Sequence, residues 1–231
     1  PIIWHIMKYY SVFGINEFLI LGGYKCYVIK EFFANYCLHT SNVSFDLRNN
    51  SIEILDNRSE AWKVTIIDTG ENTLTGGRLK RASNFLQPGE DFCMTYGDGL
   101  SNIDIKRLIR FHKNGNKLAT ISAVIPPARF GAINMGADGS VSQFMEKPTG
   151  NGNWINGGFF VLNKAVLDYI TGDETSFETG PLEQLIFQKE LQAFLHSGFW
   201  QPMDTLRDKI NLESLWNSGK APWHIWPNEP H

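Results

Sequence analysis

The chain has 231 residues, of which 19% are charged and 13% aromatic, and its formal net charge is −3. That balance excludes intrinsic disorder and the strongly basic surface of a nucleic-acid-binding protein. Its three widely spaced cysteines favour neither a disulfide framework nor a zinc cluster. No apolar run approaches the roughly 20 residues that span a bilayer. We therefore expect a soluble cytoplasmic protein with small-molecule partners and no contact with nucleic acid or membrane.

The first part of the chain predicts alternating helices and strands, interrupted by a β-rich stretch. Apolar residues at helical spacing predict a helix from residue 2 that Gly14 ends, followed by a strand at 17–21 and a helix at 25–36. From 43 to 67, three short alternating runs with a hairpin signal between the first two predict a β excursion from an otherwise α/β chain.

A glycine pair at Gly76-Gly77 follows Thr75 and precedes a predicted helix. A turn of this composition exposes backbone donors and acceptors at the start of a helix, where a base or a phosphate can bind. The alternative is structural, with Thr75 acting only as the helix N-cap.

A strand that runs into a carboxylate between two glycines dominates the middle of the sequence. The run from Asp91 is apolar or β-prone, and it leads into Gly97-Asp98-Gly99. In open α/β sheets ligands bind at the carboxyl ends of strands, and glycines allow a close approach. We predict that Asp98 holds a divalent cation on nucleotide phosphates. The alternative is an ordinary Asp-Gly turn.

The remaining pattern again alternates strands and helices. Asp204 directly follows a strand-like run, and either Asp204 or Thr205 can cap the last helix. The tail at 227–231 is expected to fray. The predicted elements are a helix ended by Gly115, strands at 117–125, 129–133, 141–148 and 156–162, and helices at 164–170, 181–190 and 206–216.

The motifs form an ordered set: Tyr24-Lys25, Asp68-Thr69-Gly70, 75–81, 96–99, 129–132, 144–148, 154–160 and 198–208. Together they resemble the sugar-phosphate nucleotidyltransferases across nearly the whole chain. The resemblance implies an α/β fold with a Rossmann-like mixed, mostly parallel sheet flanked by helices, of the nucleotide-diphospho-sugar transferase type. It also implies one domain over 1–226, with the small β excursion at 43–67 and a sugar-binding C-terminal part at about 126–226.

Within that family the resemblance points to the branch that transfers a cytidylyl group from CTP to glucose 1-phosphate. The implied catalytic residues are Asp98, Lys147 and Asp204, with Asp98 and Asp204 as ligands of Mg²⁺. Homo-oligomers are typical of the family, and the aromatic-rich segments at 43–67 and 216–226 are candidate contacts. The implied nucleotide-binding residues are Thr75, Gly76, Gly77, Arg78, Gly97 and Asp98, and the implied substrate-binding residues are Arg129, Gly131, Glu146, Lys147, Asn156, Gly157 and Gly158.

The sequence departs from the family pattern at its start. Pro1 aligns just after the strand and glycine-rich loop with which the family begins, so we expect those elements, with a catalytic arginine and lysine, to precede it. Two alternatives remain open: a uridylyl- or thymidylyltransferase on the same scaffold, and a non-catalytic protein that binds the sugar phosphate. A metal-dependent glycosyltransferase is disfavoured because Asp98-Gly99-Leu100 lacks the Asp-x-Asp pattern of that class.

Overall fold

The computed structural model describes residues 1–127, 132–135, 137, 140–145 and 154–227. The helices are α1 (Ile2–Val12), α2 (Cys26–Ala34), α3 (Tyr36–Thr40), α4 (Thr75–Arg81), α5 (Ile105–Gly115), α6 (Pro181–Phe187) and α7 (Leu206–Asn217), with 3-10 turns at Ser83–Phe85 and Lys164–Tyr169. The strands are β1 (Glu17–Gly22), β2 (Asn42–Asp46), β3 (Ser51–Asp56), β4 (Lys63–Asp68), β5 (Asp91–Thr95), β6 (Gly99–Ser101), β7 (Ala119–Val124), β8 (Ala132–Met135), β9 (Val141–Met145), β10 (Ile155–Asn163), β11 (Leu191–His196) and β12 (Trp200–Pro202).

Contacts within the chain divide it into two compact units. The prediction of a single domain over 1–226 stays a prediction. Unit 1 comprises Pro1–Gly14, Pro88–Val166 and Gln184–His231, and unit 2 comprises Ile15–Gln87 and Leu167–Glu183.

Unit 1 is built on a four-stranded sheet in the order β11-β7-β10-β5. β11 runs parallel to β7, whereas β10 is antiparallel to both β7 and β5, so three of the four strands share one direction. The two central strands are apolar along most of their length and buried, as expected for strands that are covered on both faces. The core therefore lies on this sheet.

A short antiparallel ladder in unit 1 brings distant parts of the sequence together. β6 pairs with β12, with Gly99 opposite Pro202, and the Met203 amide donates to the Asp98 carbonyl at 2.7 Å. Asp98 precedes the first of these strands and Asp204 follows the second. The ladder therefore places the two carboxylates beside each other.

The aromatic residues of 216–226 pack within unit 1. Trp216 and Trp226 contact Trp4 of α1, edge to face, at centroid distances of 6.3 and 5.8 Å. Trp223 is only 1% exposed and stacks on Phe199. This packing explains why the segment is aromatic, and its role in subunit contacts stays a prediction.

Unit 2 contains a parallel pair, β1 and β4, and a separate antiparallel hairpin, β2 and β3. The third run of the predicted β excursion at 43–67 is β4, so it belongs with β1 and not with the hairpin. The predicted helix at 25–36 is divided at Asn35, and α3 begins at the next residue.

The predicted mixed α/β architecture is thus what the structure contains, with helices and parallel strand pairs in both units. Within the described residues, no helix combines the length and apolar character needed to cross a membrane.

Candidate active site

An open pocket of unit 1 lies where β5 and β10 meet the β6–β12 ladder, and the space in and over it, open solvent included, is about 240 Å³. It holds the glycine segment of β10 and a carboxylate at the end of a strand, which are the two features that the sequence predicts for substrate and metal. Its lining residues are Thr95, Tyr96, Asp98, Gly99, Asn156, Gly157, Gly158, Phe159 and Trp200.

The irregular start of β10 shapes one wall of this pocket. Gly158 has φ +73°, a left-handed conformation that favours glycine, and a Cβ there would lie 2.9 Å from Cδ2 of Tyr96. The Asn156 side-chain oxygen accepts from the Gly158 amide at 2.8 Å, while the Gly158 carbonyl accepts from the Tyr96 amide at 3.1 Å. Within the residues that the structure describes, the two N–H donors of the Asn156 side chain make no hydrogen bond, so they can be offered to a ligand.

Gly157 is fixed from two sides. A Cβ on it would approach Ser122 Oγ and Val124 Cγ1 to 2.7 Å, so a larger residue would displace β10 from β7. Its carbonyl accepts a hydrogen bond of 2.7 Å from the Trp200 indole N–H. The sequence analysis assigns no role to Trp200, although the residue lies in the 198–208 motif just before Asp204. The available sequence signal is that an indole N–H needs an acceptor once it is buried, so a tryptophan in this motif indicates a hydrogen bond close to Asp204.

Asp98 and Asp204 form the charged part of the site. Partial desolvation raises the pKa of Asp98, and the neighbouring Asp204 carboxylate raises it further. Asp204 is not the helix cap, because Thr205 caps α7 in a capping box with Asp208. Two like charges held close together favour a cation between them.

The donor set of this pair suits magnesium. Mg²⁺ prefers oxygen ligands and usually takes one or two protein carboxylates together with substrate phosphate oxygens. Among the described residues no cluster of three or more histidine, cysteine or acidic side chains forms, so a cation at Asp98 and Asp204 would need additional oxygen ligands from elsewhere. Gly97 precedes the pair, and within the described part of the chain a Cβ on it would meet nothing within 4 Å. Packing against these residues therefore gives no reason for a glycine at this position.

The predicted nucleotide-binding stretch lies in unit 2, and its local structure differs from the expectation. Thr75, Gly76 and Gly77 form the first turn of α4 instead of preceding it, and the N-cap is Leu74. The amides of Gly76 and Gly77 donate to the Thr175 carbonyl at 2.9 and 3.2 Å. A segment about 100 residues further along the chain therefore uses the donors that a turn would have exposed.

Arg78 anchors a loop and keeps part of its hydrogen-bonding capacity. Its Nη1 donates to Thr69 Oγ1 at 2.6 Å and to the Gly70 carbonyl at 2.9 Å, and Nη2 donates to the Glu71 carbonyl at 3.0 Å. The guanidinium has five N–H donors. Within the part of the chain that the structure describes, Nε–H and one Nη2–H remain outside these bonds, and both atoms lie on one edge of the planar group.

The structure brings five predicted residues together in unit 1, around one pocket: Asp98, Asn156, Gly157, Gly158 and, through the ladder, Asp204. Arg129, Gly131, Glu146 and Lys147 lie outside the described residues, and their roles stay predictions. The same holds for the roles of the five residues around the pocket and for those of Thr75, Gly76, Gly77, Arg78 and Gly97.

Comparison with known proteins identifies relatives along nearly the whole chain. The glucose-1-phosphate cytidylyltransferase of Salmonella typhimurium is 56% identical over 226 residues, which are 98% of this chain and 88% of that protein. A probable glucose-1-phosphate cytidylyltransferase of Bacillus subtilis is 39% identical over 227 residues, with the same two coverages.

Solved structures support the fold at much lower identity. A putative glucose-1-phosphate thymidylyltransferase from Bacillus anthracis superposes with a TM-score of 0.64 at 15% identity, covering 99% of this chain and 85% of that one. HddC from Yersinia pseudotuberculosis, complexed with GMP-PN, gives 0.61 at 21% identity and coverages of 91% and 83%. The predicted fold type is confirmed.

A family model described as nucleotidyl transferase matches residues 2–213. This match covers more than half of the chain, and the relatives above agree with it. The resemblance seen in the motifs is therefore confirmed, and the chain belongs to the nucleotidyl transferase family.

Proposed function

We propose that this chain transfers a cytidylyl group from CTP to α-D-glucose 1-phosphate, giving CDP-glucose and pyrophosphate. The observation that carries the proposal is the 56% identity, over 98% of the chain, to the glucose-1-phosphate cytidylyltransferase of Salmonella typhimurium. The pocket of unit 1 adds chemical support, because Asp98, which has Asp204 as a neighbour, lines it together with a glycine-rich wall that a substrate can approach closely.

The reaction requires neither a general base nor a protein nucleophile. A phosphate oxygen of glucose 1-phosphate is already anionic at neutral pH, and it attacks the α-phosphorus of CTP. A new P–O bond forms while the bond to the β-phosphate oxygen breaks, and pyrophosphate carries the charge away. Catalysis then depends on positioning the two phosphates in line and on neutralising their charge.

Asp98 and Asp204 would hold a divalent cation, for which we propose Mg²⁺. When bound, the cation supplies charge neutralisation to the nucleotide phosphates. The neighbouring Asp204 carboxylate helps to raise the pKa of Asp98, so a cation placed between the two side chains is favourable. Gly97 lets the phosphates come close to the backbone at this point.

The sugar phosphate is assigned to the other wall of the pocket. Asn156 offers two N–H donors, and Gly157 and Gly158 permit contact with the backbone. Glu146 and Lys147 are proposed for the sugar hydroxyls and the sugar phosphate, with Lys147 as a catalytic charge. Arg129 and Gly131 are proposed as further lining.

Nucleobase selection is assigned to the start of α4, where Thr75, Gly76, Gly77 and Arg78 lie. With the Glu71 carbonyl on the Nη2–H that faces Nη1, the Nε–H and the other Nη2–H of Arg78 would form a fork of two parallel donors. Cytosine presents two adjacent acceptors, O2 and N3, which match this fork. Uracil and thymine carry N3–H at the second position, so one donor would face another donor and remain unpaired.

Activity with different nucleotides tests the function and its selectivity together. The natural full-length protein should release pyrophosphate from CTP with glucose 1-phosphate and Mg²⁺, at a kcat/KM at least about 100-fold above that for UTP or dTTP. Arg78→Lys should lower this preference about tenfold, because an ammonium group cannot form the fork. A preference for UTP or dTTP would favour the uridylyl- or thymidylyltransferase alternative. Binding of glucose 1-phosphate without turnover would favour the non-catalytic one.

Trp200→Phe tests the wall of the sugar pocket. The change removes the indole N–H and leaves the Gly157 carbonyl without its 2.7 Å hydrogen bond, so the glycine segment loses a fixed position. We expect KM for glucose 1-phosphate to rise about tenfold while KM for CTP stays within about twofold. Steady-state kinetics with each substrate varied in turn measure this. An equal rise in both constants would contradict a local role.

We also propose a homo-oligomer in the cytoplasm. The β2–β3 hairpin supports self-association, since Phe45, Leu47 and Ile52 are more than half exposed on it. The solution mass of the protein, and its change on replacing Leu47 with Asp, would test this assembly.

A further inference from the structure

Residues 173–178 of unit 2 pack on the first turn of α4. Three amides at the start of this helix donate to that segment: Leu74 N–H to the Asp173 carbonyl at 2.8 Å, and Gly76 and Gly77 to the Thr175 carbonyl. The first N–H groups of a helix have no partner within the helix. Here the distant segment supplies the partners, and it thereby fixes where α4 begins.

The Thr75 hydroxyl makes a second connection to the same segment. It donates to Glu178 Oε2 at 2.7 Å and accepts from the Phe177 amide at 2.9 Å. Glu178 Oε2 also accepts from the Ser176 hydroxyl at 2.7 Å. Hydrogen bonds to an ionised carboxylate are short and strong, so Glu178 ties Thr75 firmly to the segment.

The glycines of the motif are explained by this contact. A Cβ on Gly76 would lie 2.7 Å from the Thr175 carbonyl oxygen, and one on Gly77 would lie 2.5 Å from Asp173 Cα. These neighbours are backbone atoms, which cannot move aside as a side chain can. Gly76 and Gly77 therefore let the 173–178 segment approach the helix.

A third connection lies at the other end of the helix. Arg81 forms a bidentate pair with Asp173, with its Nε 3.0 Å from Oδ1. The pair is exposed, and Asp173 also accepts from Leu74 through its carbonyl. One residue of the segment thus contacts both ends of α4.

We propose that Glu178 and Asp173 are positioning residues for nucleobase selection. They hold the first turn of α4, and Arg78, with its donor fork, directly follows that turn. The inference rests on the proposed function, because it assigns the base to Thr75–Arg78. Neither residue is assigned a contact with substrate. Their effect is to keep the fork in the one place where it meets O2 and N3 of cytosine.

Variants of Glu178 test the inference against a matched control. Glu178→Ala should raise KM for CTP about tenfold or more and lower the preference for CTP over UTP about tenfold, with KM for glucose 1-phosphate within about twofold. Glu178→Gln keeps one acceptor oxygen and should restore most of the loss. Glu174→Gln should match the wild type, since Glu174 is an exposed carboxylate of the same segment.

Hydrogen–deuterium exchange gives a readout that does not depend on catalysis. In Glu178→Ala, but not in Glu174→Gln, the amides of 74–77 should exchange about tenfold faster or more. Wild-type turnover of CTP combined with an unchanged nucleotide preference in Glu178→Ala would overturn the inference and leave the proposed function standing. Faster exchange in a protein that does not use CTP would overturn the proposed function and, with it, the assignment of this contact to base selection.

Discussion

Replacing Asp98 with asparagine should abolish turnover and at the same time make the fold more stable. An amide is a far weaker ligand for Mg²⁺ than a carboxylate, and it leaves the phosphate charge without its protein-held counter-charge. We expect kcat/KM for CTP to fall about 1,000-fold or more. Asp204→Asn should show a loss of the same order, because the proposed cation needs both carboxylates. Retention of more than about a tenth of wild-type activity by either variant would contradict the assignment.

The gain in stability follows from the direction of the pKa shift. A carboxyl group whose pKa is higher in the folded than in the unfolded chain destabilises the fold at pH values above both, and this cost is relieved as the pH falls through the folded-state pKa. Desolvation and the Asp204 charge raise the pKa of Asp98, so Asp98→Asn should raise Tm at pH 7 in the presence of EDTA.

The control for that measurement is Asp168→Asn, which changes an exposed carboxylate in the same way. Its Tm should differ little from that of the wild type. A lower Tm for Asp98→Asn would show that the carboxylate stabilises the fold, and it would contradict the expected energetic cost of ionising Asp98.

Phe160→Ala should be among the most destabilising single changes in unit 1. The ring is fully buried in the centre of β10, where β7 and β5 pair on either side. Removing a buried phenylalanine typically costs about 3–5 kcal/mol, from lost burial and from the cavity left behind. Urea unfolding at neutral pH measures this change in the free energy of unfolding.

Phe160→Ala should also loosen the packing of the side chains that line the pocket. Phe160 meets Tyr96 edge to face at a centroid distance of 5.6 Å, and Tyr96 lines the pocket. Phe187 provides the matched control, because it lies in the same unit and is 88% exposed. Phe187→Ala should cost less than about 0.5 kcal/mol. A cost below about 1 kcal/mol for Phe160→Ala would contradict the position of β10 at the centre of the core.

Local sequence patterns were sufficient to predict the strands that form the core of unit 1. β5, β7 and β10 are short apolar or β-prone runs bounded by turn residues, and these features depend on nearby residues alone. The position of Asp98 at the carboxyl end of a strand was predictable for the same reason. The antiparallel direction of β10 was not predictable, because a buried apolar run has the same pattern in a parallel strand as in an antiparallel one.

Features that depend on distant residues escaped prediction. Gly76-Gly77 reads locally as a turn, yet α4 includes both residues because the 173–178 segment satisfies their amides. Likewise, the alternating run at 63–68 gives no sign that it pairs with β1 instead of the adjacent hairpin. In each case a tertiary contact outweighed the local preference.

The short β6–β12 ladder also determines when the carboxylate pair exists during synthesis. Asp98 is translated about 100 residues before Asp204. At typical elongation rates of about 5–20 residues per second, a nascent chain carries the first carboxylate for roughly 5 to 20 s before the second is made. A ribosome-bound chain that has reached β10 therefore has most of the pocket wall but only half of the carboxylate pair. If the pair is required for turnover, as proposed, activity is postponed until the chain has been synthesised as far as Asp204.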